Sequence, residues 1–252
     1  MHYIGIDIGS TATKVSVFMK DELIWNFTMP TGWSSIEVSK SIEDKIESNG
    51  ISIENSKVVA TGYGRISVPY ADKSVTEITC HGKGVHYLLG EDSTVIDIGG
   101  QDTKIITLKD GRVTNFTMND KCAAGTGKFM ELMANTLGVS IDELAKMALV
   151  GEDISITSMC TVFAESEVIS LIGEGKKRED IARGIINSII GRVYSMLHKH
   201  GSSNRIYLTG GLCEVEPFIE LLSQRLESEI MTDPLARYAG SIGAALVAKR
   251  IE

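Results

Sequence analysis

The apolar residues at the start of the chain fall in short β-branched runs, not at helical spacing. Tyr3-Ile-Gly-Ile-Asp-Ile8 is apolar apart from one aspartate and runs into Gly9-Ser-Thr-Ala-Thr-Lys14. The same pattern returns at Thr94-Val-Ile-Asp-Ile98, which runs into Gly99-Gly-Gln-Asp-Thr-Lys104. Short apolar runs bounded by glycine turns predict buried strands. Strands are therefore expected over 3–8, 13–19 and 23–29, and again within roughly 93–118. Asp7 and Asp97 stand 90 apart (97 − 7 = 90). Lys20-Asp21 recurs as Lys109-Asp110 and Asn26-Phe-Thr-Met29 as Asn115-Phe-Thr-Met118, both at 89 (109 − 20 = 89; 115 − 26 = 89). The copies are thus expected to differ by one residue of loop. Such a duplication predicts two similar sheets whose glycine loops face each other across a cleft.

Helical spacing takes over between these runs. Ile36, Ser39, Ile42 and Ile46 predict a helix over 36–49 stopped by Gly50, and 76–89 reads as another. Lys57–Thr61 reads as a strand ending in the turn Gly62-Tyr-Gly-Arg65. Met118 to Lys128 reads as a loop opening a helix through Phe129, Leu132, Met133 and Leu137 to Gly138, and a further helix starts near Cys160. Ile181, Ile185, Ile189, Val193 and Leu197 predict a long helix over 179–200, with Gly201 as its stop. A strand over 205–209 ends in Gly210-Gly211, Pro217 suits the first turn of the next helix, and 241–251 reads as a small-residue helix. The expectation is an α/β protein of two similar domains, 1–91 with 238–252 and 92–237, joined by ordered crossovers.

Apolar residues make up 43% of the 252 and charged residues 23%, an ordinary globular balance. A net charge of −8 disfavours a nucleic-acid footprint. No stretch approaches the length of a membrane span. The first apolar run is interrupted by Asp7 and has no basic region before it, so it reads as a strand and not as a signal peptide. The expected compartment is the cytoplasm, where the four cysteines are thiols or metal ligands and not disulfides.

Glycine loops after strands leave backbone N–H groups free for phosphate oxygens and let the ligand approach closely. The loops at Gly9 and Gly99-Gly100, a third at Gly125-Thr126-Gly127 opening a helix, and a fourth at Gly210-Gly211 predict a nucleotide polyphosphate with Mg²⁺. Asp7 and Asp97 would organise the ion through its waters. Lys14 and Ser10, with Thr11 and Ala12 in the same turn, would meet phosphate. Gln101 is the side chain expected to orient an attacking water.

The two Asp-Ile-Gly loops together with Leu208-Thr-Gly-Gly-Leu212 resemble the superfamily of acetate and sugar kinases, heat-shock ATPases and actin. Gly62-Tyr-Gly-Arg65, Asp97-Ile-Gly-Gly-Gln-Asp102, Asn119-Asp-Lys-Cys-Ala-Ala-Gly-Thr-Gly127 and Cys160-Thr-Val-Phe-Ala-Glu-Ser-Glu-Val168 resemble the activator (ATP-dependent reductase) component of 2-hydroxyacyl-CoA dehydratases. The resemblance implies duplicated actin-like, ribonuclease H-like ATPase domains with the nucleotide in the cleft. In it Gly210, Gly211 and Leu212 border adenosine. A cubane cluster takes four thiolates, and four scattered cysteines invite the reading of one cluster per chain. Cys80 and Cys213 read as small buried hydrophobes. Cys122 and Cys160 are each expected at or just before a helix N-terminus, where the dipole favours thiolate. The resemblance implies that these two, doubled by a twofold homodimer, hold one 4Fe–4S cluster. It further implies ferredoxin or flavodoxin as electron donor. The implied acceptor is an iron–sulfur dehydratase, with a double-cubane cluster protein or a benzoyl-CoA reductase-type partner as alternatives. A small-molecule kinase or a filament-forming scaffold of the same superfold is the competing expectation; the histidines and methionines read as core or solvated positions.

Overall fold

The computed structural model describes residues 1–156, 160–201 and 205–251. The first repeat opens with β1 (His2–Ile8), β2 (Ala12–Met19) and β3 (Glu22–Pro30), followed by α1 (Ser35–Ser48), β4 (Ser56–Thr61), β5 (Lys73–Ser74) and α2 (Glu77–Leu89). The second contains β6 (Ser93–Ile98), β7 (Thr103–Lys109) and β8 (Arg112–Asn119). It continues with α3 (Gly127–Leu137), α4 (Ile141–Val150), α5 (Thr161–Gly173), α6 (Arg178–His200), β9 (Ile206–Gly210), α7 (Glu216–Leu226) and β10 (Ile230–Met231). The chain closes with α8 (Ala239–Ala248), shorter at its C-terminal end than the expected 241–251.

The duplication extends further than the sequence pattern shows. One sheet runs β3-β2-β1-β4-β5 and the other β8-β7-β6-β9-β10, the same order strand for strand. In the first, β1 is antiparallel to β2 and parallel to β4; in the second, β6 is parallel to β9.

The one-residue difference between copies lies in a strand and not in a loop. Both hairpins close with two residues, Lys20-Asp21 and Asp110-Gly111. Lys20 and Asp110, 90 apart (110 − 20 = 90), both take positive φ, 57° and 51°. Their backbone thus matches at 90, and the Lys20-Asp21 and Lys109-Asp110 match at 89 is out of register. Between β2 and β3 the pairing jumps from Val17↔Trp25 to Phe18↔Leu23, so Ile24 is an extra bulged residue. Beyond it the offset is 89, which is where Asn26 and Asn115 correspond.

The described residues fall in two compact units, one within 1–92, 108–115 and 233–251, the other within 93–107 and 116–232. The hairpin tip 108–115 groups with the first unit, where the sequence pattern places it with the second repeat. A Cβ at Gly82 of α2 would lie 2.6 Å from Val113 Cγ2, so the tip packs tightly on that helix. In the first unit Ile4, Ile6 and Ile8 of β1 and Val15 and Val17 of β2 pack with Val38, Ile42 and Ile46 of α1. Each such side chain contributes about 1.5–3 kcal/mol by leaving water. Val38 takes the place expected for Ile36, which is exposed. On the other face α8 lies so close to β1 that a Cβ at Gly5 would be 1.9 Å from Ser241 O. The small residues of α8 make that contact possible. In the second unit α6 buries Ile181, Ile185, Ile189, Val193 and Leu197 along one stripe. No helix among the described residues is long and apolar enough to cross a membrane.

Candidate functional site

β1 carries Asp7 to the first glycine loop. Asp7 is 3% exposed, and its Oδ1 has no hydrogen-bond partner among the described residues. A buried acceptor left unused is costly. Backbone flanks the carboxylate: a Cβ at Gly62 would lie 2.6 Å from Oδ1, and one at Gly240 would lie 2.6 Å from Oδ2. Gly62 also has φ +84°, so any other residue there is strained as well as crowded. Lys14 faces Asp7 in the β1–β2 register. Its Nζ reaches the loop, 3.7 Å from where a Gly9 Cβ would sit, and it has no ion-pair partner among the described residues. Gly9, Ser10 and Ala12 are partly exposed and Thr11 is exposed. An unused carboxylate oxygen and an unpaired ammonium on one glycine turn fit hydrated Mg²⁺ and a phosphate.

The second repeat uses the same residues differently. Asp97 Oδ1 accepts from Thr209 Oγ1 at 3.0 Å, and its Oδ2 pairs with Lys104 Nζ at 3.2 Å. The same ammonium lies 2.8 Å from Asp102 Oδ2, and Lys104 is 1% exposed. Both repeats space Asp and Lys by seven (14 − 7 = 7; 104 − 97 = 7). In the first the pair stands open; in the second it is closed on itself. Strand register accounts for half of this. Thr61 lies opposite Asp7 as Thr209 lies opposite Asp97, but Thr61 Oγ1 donates to Val75 O at 2.9 Å and leaves Asp7 unserved. Asp102 accounts for the rest, since its counterpart is Ala12 (102 − 90 = 12). Gln101 is exposed at the loop tip, Gly99 and Gly100 are partly exposed, and β9 ends in buried Gly210, exposed Gly211 and buried Leu212.

The cysteine loop is tied to this second phosphate loop. Gly127 N–H donates to Gly99 O and Lys128 N–H to Gly100 O, each at 2.9 Å. Thr103 Oγ1 donates to Gly125 O at 2.7 Å, and Thr126 Oγ1 to Ala123 O at 2.6 Å. Asn119 Nδ2 donates to Cys122 O at 2.9 Å and to Ala124 O at 3.4 Å. Cys122 is partly exposed; Cys160 is exposed at the N-cap of α5. α5 buries Ala164 and Val168, packs on α3, and is tied to it by a hydrogen bond from Thr136 Oγ1 to Glu165 Oε1 at 3.4 Å. Glu165 is thereby a bonded helix residue. Cys80 and Cys213 are buried, and burial pushes the Cys80 thiol up to about 12 despite the hydrogen bond with Thr61. The structure places only Cys160 at a helix start; Cys122 lies in the loop, five residues before α3 (127 − 122 = 5). The donor set fits half of a cubane: these two accessible thiols, with Cys80 and Cys213 buried and unsuited to bind as thiolates. Sequence reasoning does not single out Gly240 or Thr209. Gly240 lies in a helix where close packing explains any small residue, and Thr209 looks like one more strand residue.

Two copies of one five-stranded order, each opening a glycine loop after an aspartate-bearing strand, define an ATPase of the actin-like fold. The chain belongs to the BadF/BadG/BcrA/BcrD ATPase family, whose model matches residues 4–248. It is 41% identical over 253 residues to the (R)-2-hydroxyglutaryl-CoA dehydratase activating ATPase of Acidaminococcus fermentans, covering 98% of this chain and 97% of that protein. Among solved structures it is similar to (R)-2-hydroxyglutaryl-CoA dehydratase component A of Acidaminococcus fermentans, with TM-score 0.92 and 40% identity over 99% of this chain and 98% of that one. It is also similar to the activator of the 2-hydroxyisocaproyl-CoA dehydratase from Clostridium difficile, a structure with bound ADPNP, with TM-score 0.91 and 38% identity over 100% and 98%.

Proposed function

We propose that the protein is an ATP-hydrolysing electron carrier that works as a homodimer, Cys122 and Cys160 of each protomer together holding one 4Fe–4S cluster. The observation that carries this reading is the continuity of one loop. Cys122 lies three residues before Gly125 (125 − 122 = 3), and the next turn hydrogen-bonds directly to the carbonyls of Gly99 and Gly100. A nucleotide that draws in the Gly99 loop draws the cysteine loop with it.

In this reading Asp7 holds waters of Mg²⁺, while Asp97, expected to share that role, is engaged by Thr209 and Lys104 and acts only by holding its loop; Lys14 and Ser10 meet phosphate oxygens, and Gln101 orients the attacking water. Gly210, Gly211 and Leu212 border adenosine. Mg²⁺, when bound, neutralises charge on the phosphates, and the cluster, when bound, supplies one-electron chemistry. Nucleotide shifts the conformation only through its differential affinity for two states; about 5.5 kcal/mol carries a population from 1:99 to 99:1. The second protomer is called for by α5, which starts at exposed Cys160 and leaves Phe163 67% and Val162 65% exposed, with Ile169 and Ile172 beyond them. An uncovered apolar face beside half a donor set suits a second copy of the same chain. One electron enters from a ferredoxin or flavodoxin and leaves to an iron–sulfur enzyme of the 2-hydroxyacyl-CoA dehydratase class; a 2-hydroxyacyl-CoA dehydratase appears in the names of several relatives.

Anaerobic purification tests this. The expected product is a brown dimer with about four irons, the content of one cubane, that hydrolyses Mg-ATP, and Cys122→Ala is expected to be colourless. Full iron in Cys122→Ala overturns the ligand assignment, and a colourless wild type overturns the electron-carrier reading.

A further inference from the structure

Arg192, on α6, touches both ends of the cysteine loop. A Cβ at Gly125 would lie 2.7 Å from Arg192 Cγ and 3.0 Å from its Cβ, so the arginine stem lies against the loop where Gly125 turns with φ +86°. Arg192 Nη2 lies 3.5 Å from Asn119 Oδ1, the outer limit of a hydrogen bond. Asn119 spends its amide on the carbonyls of Cys122 and Ala124. Arg192 Nε is buried and has no partner among the described residues. Beside it is a cavity of about 190 Å³ whose walls include Thr117, Asn119, Arg192 and Ser195.

A guanidinium is a rigid fork of five donors. Here one donor is idle in a buried place, another is stretched, and there is room alongside. Such a group is under-bonded in the state observed, and a small displacement of the loop toward α6 gives it a full hydrogen bond to Asn119. We infer that Arg192 is a positioning residue, a strut from α6 that closes on Asn119 when nucleotide draws in the Gly99–Gly100 loop and so sets where Cys122 stands in each nucleotide state. The inference rests on the nucleotide-coupled cysteine loop of the preceding reading. Arg192 acts through Asn119 and is itself no ligand of metal or nucleotide.

Amide hydrogen exchange over 119–124 and 99–104, with Mg-ADP and with Mg-ADPNP, tests the strut without needing a cluster. In the wild type, exchange over 119–124 is expected to slow with ADPNP relative to ADP. In Arg192→Met that difference is expected to vanish while protection at 99–104 persists, and Arg192→Lys, which keeps the cation and stem without the fork, should recover part of it. The full difference in Arg192→Met overturns the proposal. So does its loss together with the 99–104 protection in both variants, which marks a merely structural role. Should Arg192→Met fail to fold, an undiminished difference in Arg192→Lys overturns it and a reduced one with 99–104 intact supports it. In the same samples the cluster midpoint potential should differ between the two nucleotides in the wild type and coincide in Arg192→Met. A wild type without iron defeats the electron-carrier reading, while the exchange difference still decides the strut.

Discussion

At the scale of residues, one Asp and one Lys at fixed spacing do opposite work in the two repeats, and the consequences are separable by experiment. Asp7 is buried without a full set of partners, so Asp7→Asn removes an uncompensated charge and is not expected to lower the melting temperature of the nucleotide-free protein. It should cut kcat/KM for Mg-ATP hydrolysis by at least tenfold, about 1.4 kcal/mol of barrier. A variant with full turnover, or one that melts well below wild type, contradicts the role assigned to the open carboxylate. Lys104 is the reverse case: it answers two buried carboxylates at 3.2 and 2.8 Å. Lys104→Met strands both and should cost about 3–5 kcal/mol in urea denaturation. Adding Asp97→Asn and Asp102→Asn to the same chain should restore much of that loss, because no buried charge then remains. The glycine loops were legible in the sequence because their chemistry is local. The divergence was legible too, in Asp102 against Ala12, but its meaning depends on Thr61 and Thr209, which only strand register brings opposite the aspartates.

At the scale of elements, strands and long amphipathic helices were readable because their burial follows their period. α4 was not foreseen, although Ser140 and Glu143 form a complete capping box at its start. The helical spacing of Ile141, Leu144, Ala145 and Ala148 was a second signal, and both lie between two longer patterns that drew the reading past them. The C-terminal end of α6 is fixed by a residue that periodicity says nothing about. His200 Nε2 pairs with Thr107 Oγ1 and Nδ1 with Thr117 Oγ1, each at 2.8 Å, fastening the helix to β7 and β8. Burial holds this imidazole below its ordinary value of 6.5. With the folded value lowered, the unfolded chain binds more protons once pH drops below 6.5. The contribution is therefore full above that pH and is lost as pH falls toward the folded value. Urea midpoints at about pH 7.5 and about pH 5.5 should fall further for wild type than for His200→Gln, which keeps an amide donor and acceptor but does not titrate. Equal slopes would remove His200 from the account.

At the scale of the whole molecule, the proposed function asks one chain for the glycine loops that meet nucleotide but for only two of the four thiols a cubane takes, so the two differ in how far a single protomer can take them. The phosphate loops come from the chain's own duplication. Cluster ligands would not: Cys80 and Cys213 are closed in the core, which leaves the thiols of Cys122 and Cys160. If a second copy supplies the other pair across the exposed face of α5, oligomeric state and iron content must move together, whereas nucleotide binding need not follow. Phe163 is the side chain to alter, since it is 67% exposed and replacing it leaves the buried Ala164 and Val168 contacts in place. In such a dimer Phe163→Glu would bring like charges onto the shared face, and it is expected to yield a monomer by light scattering. That monomer should bind Mg-ADPNP within about threefold of wild type, a difference of about 0.7 kcal/mol at most, and carry little iron. A monomeric Phe163→Glu protein that retains a complete cubane would mean that one chain can build the centre alone, and sharing by a dimer would then be wrong even with both cysteines still serving as ligands.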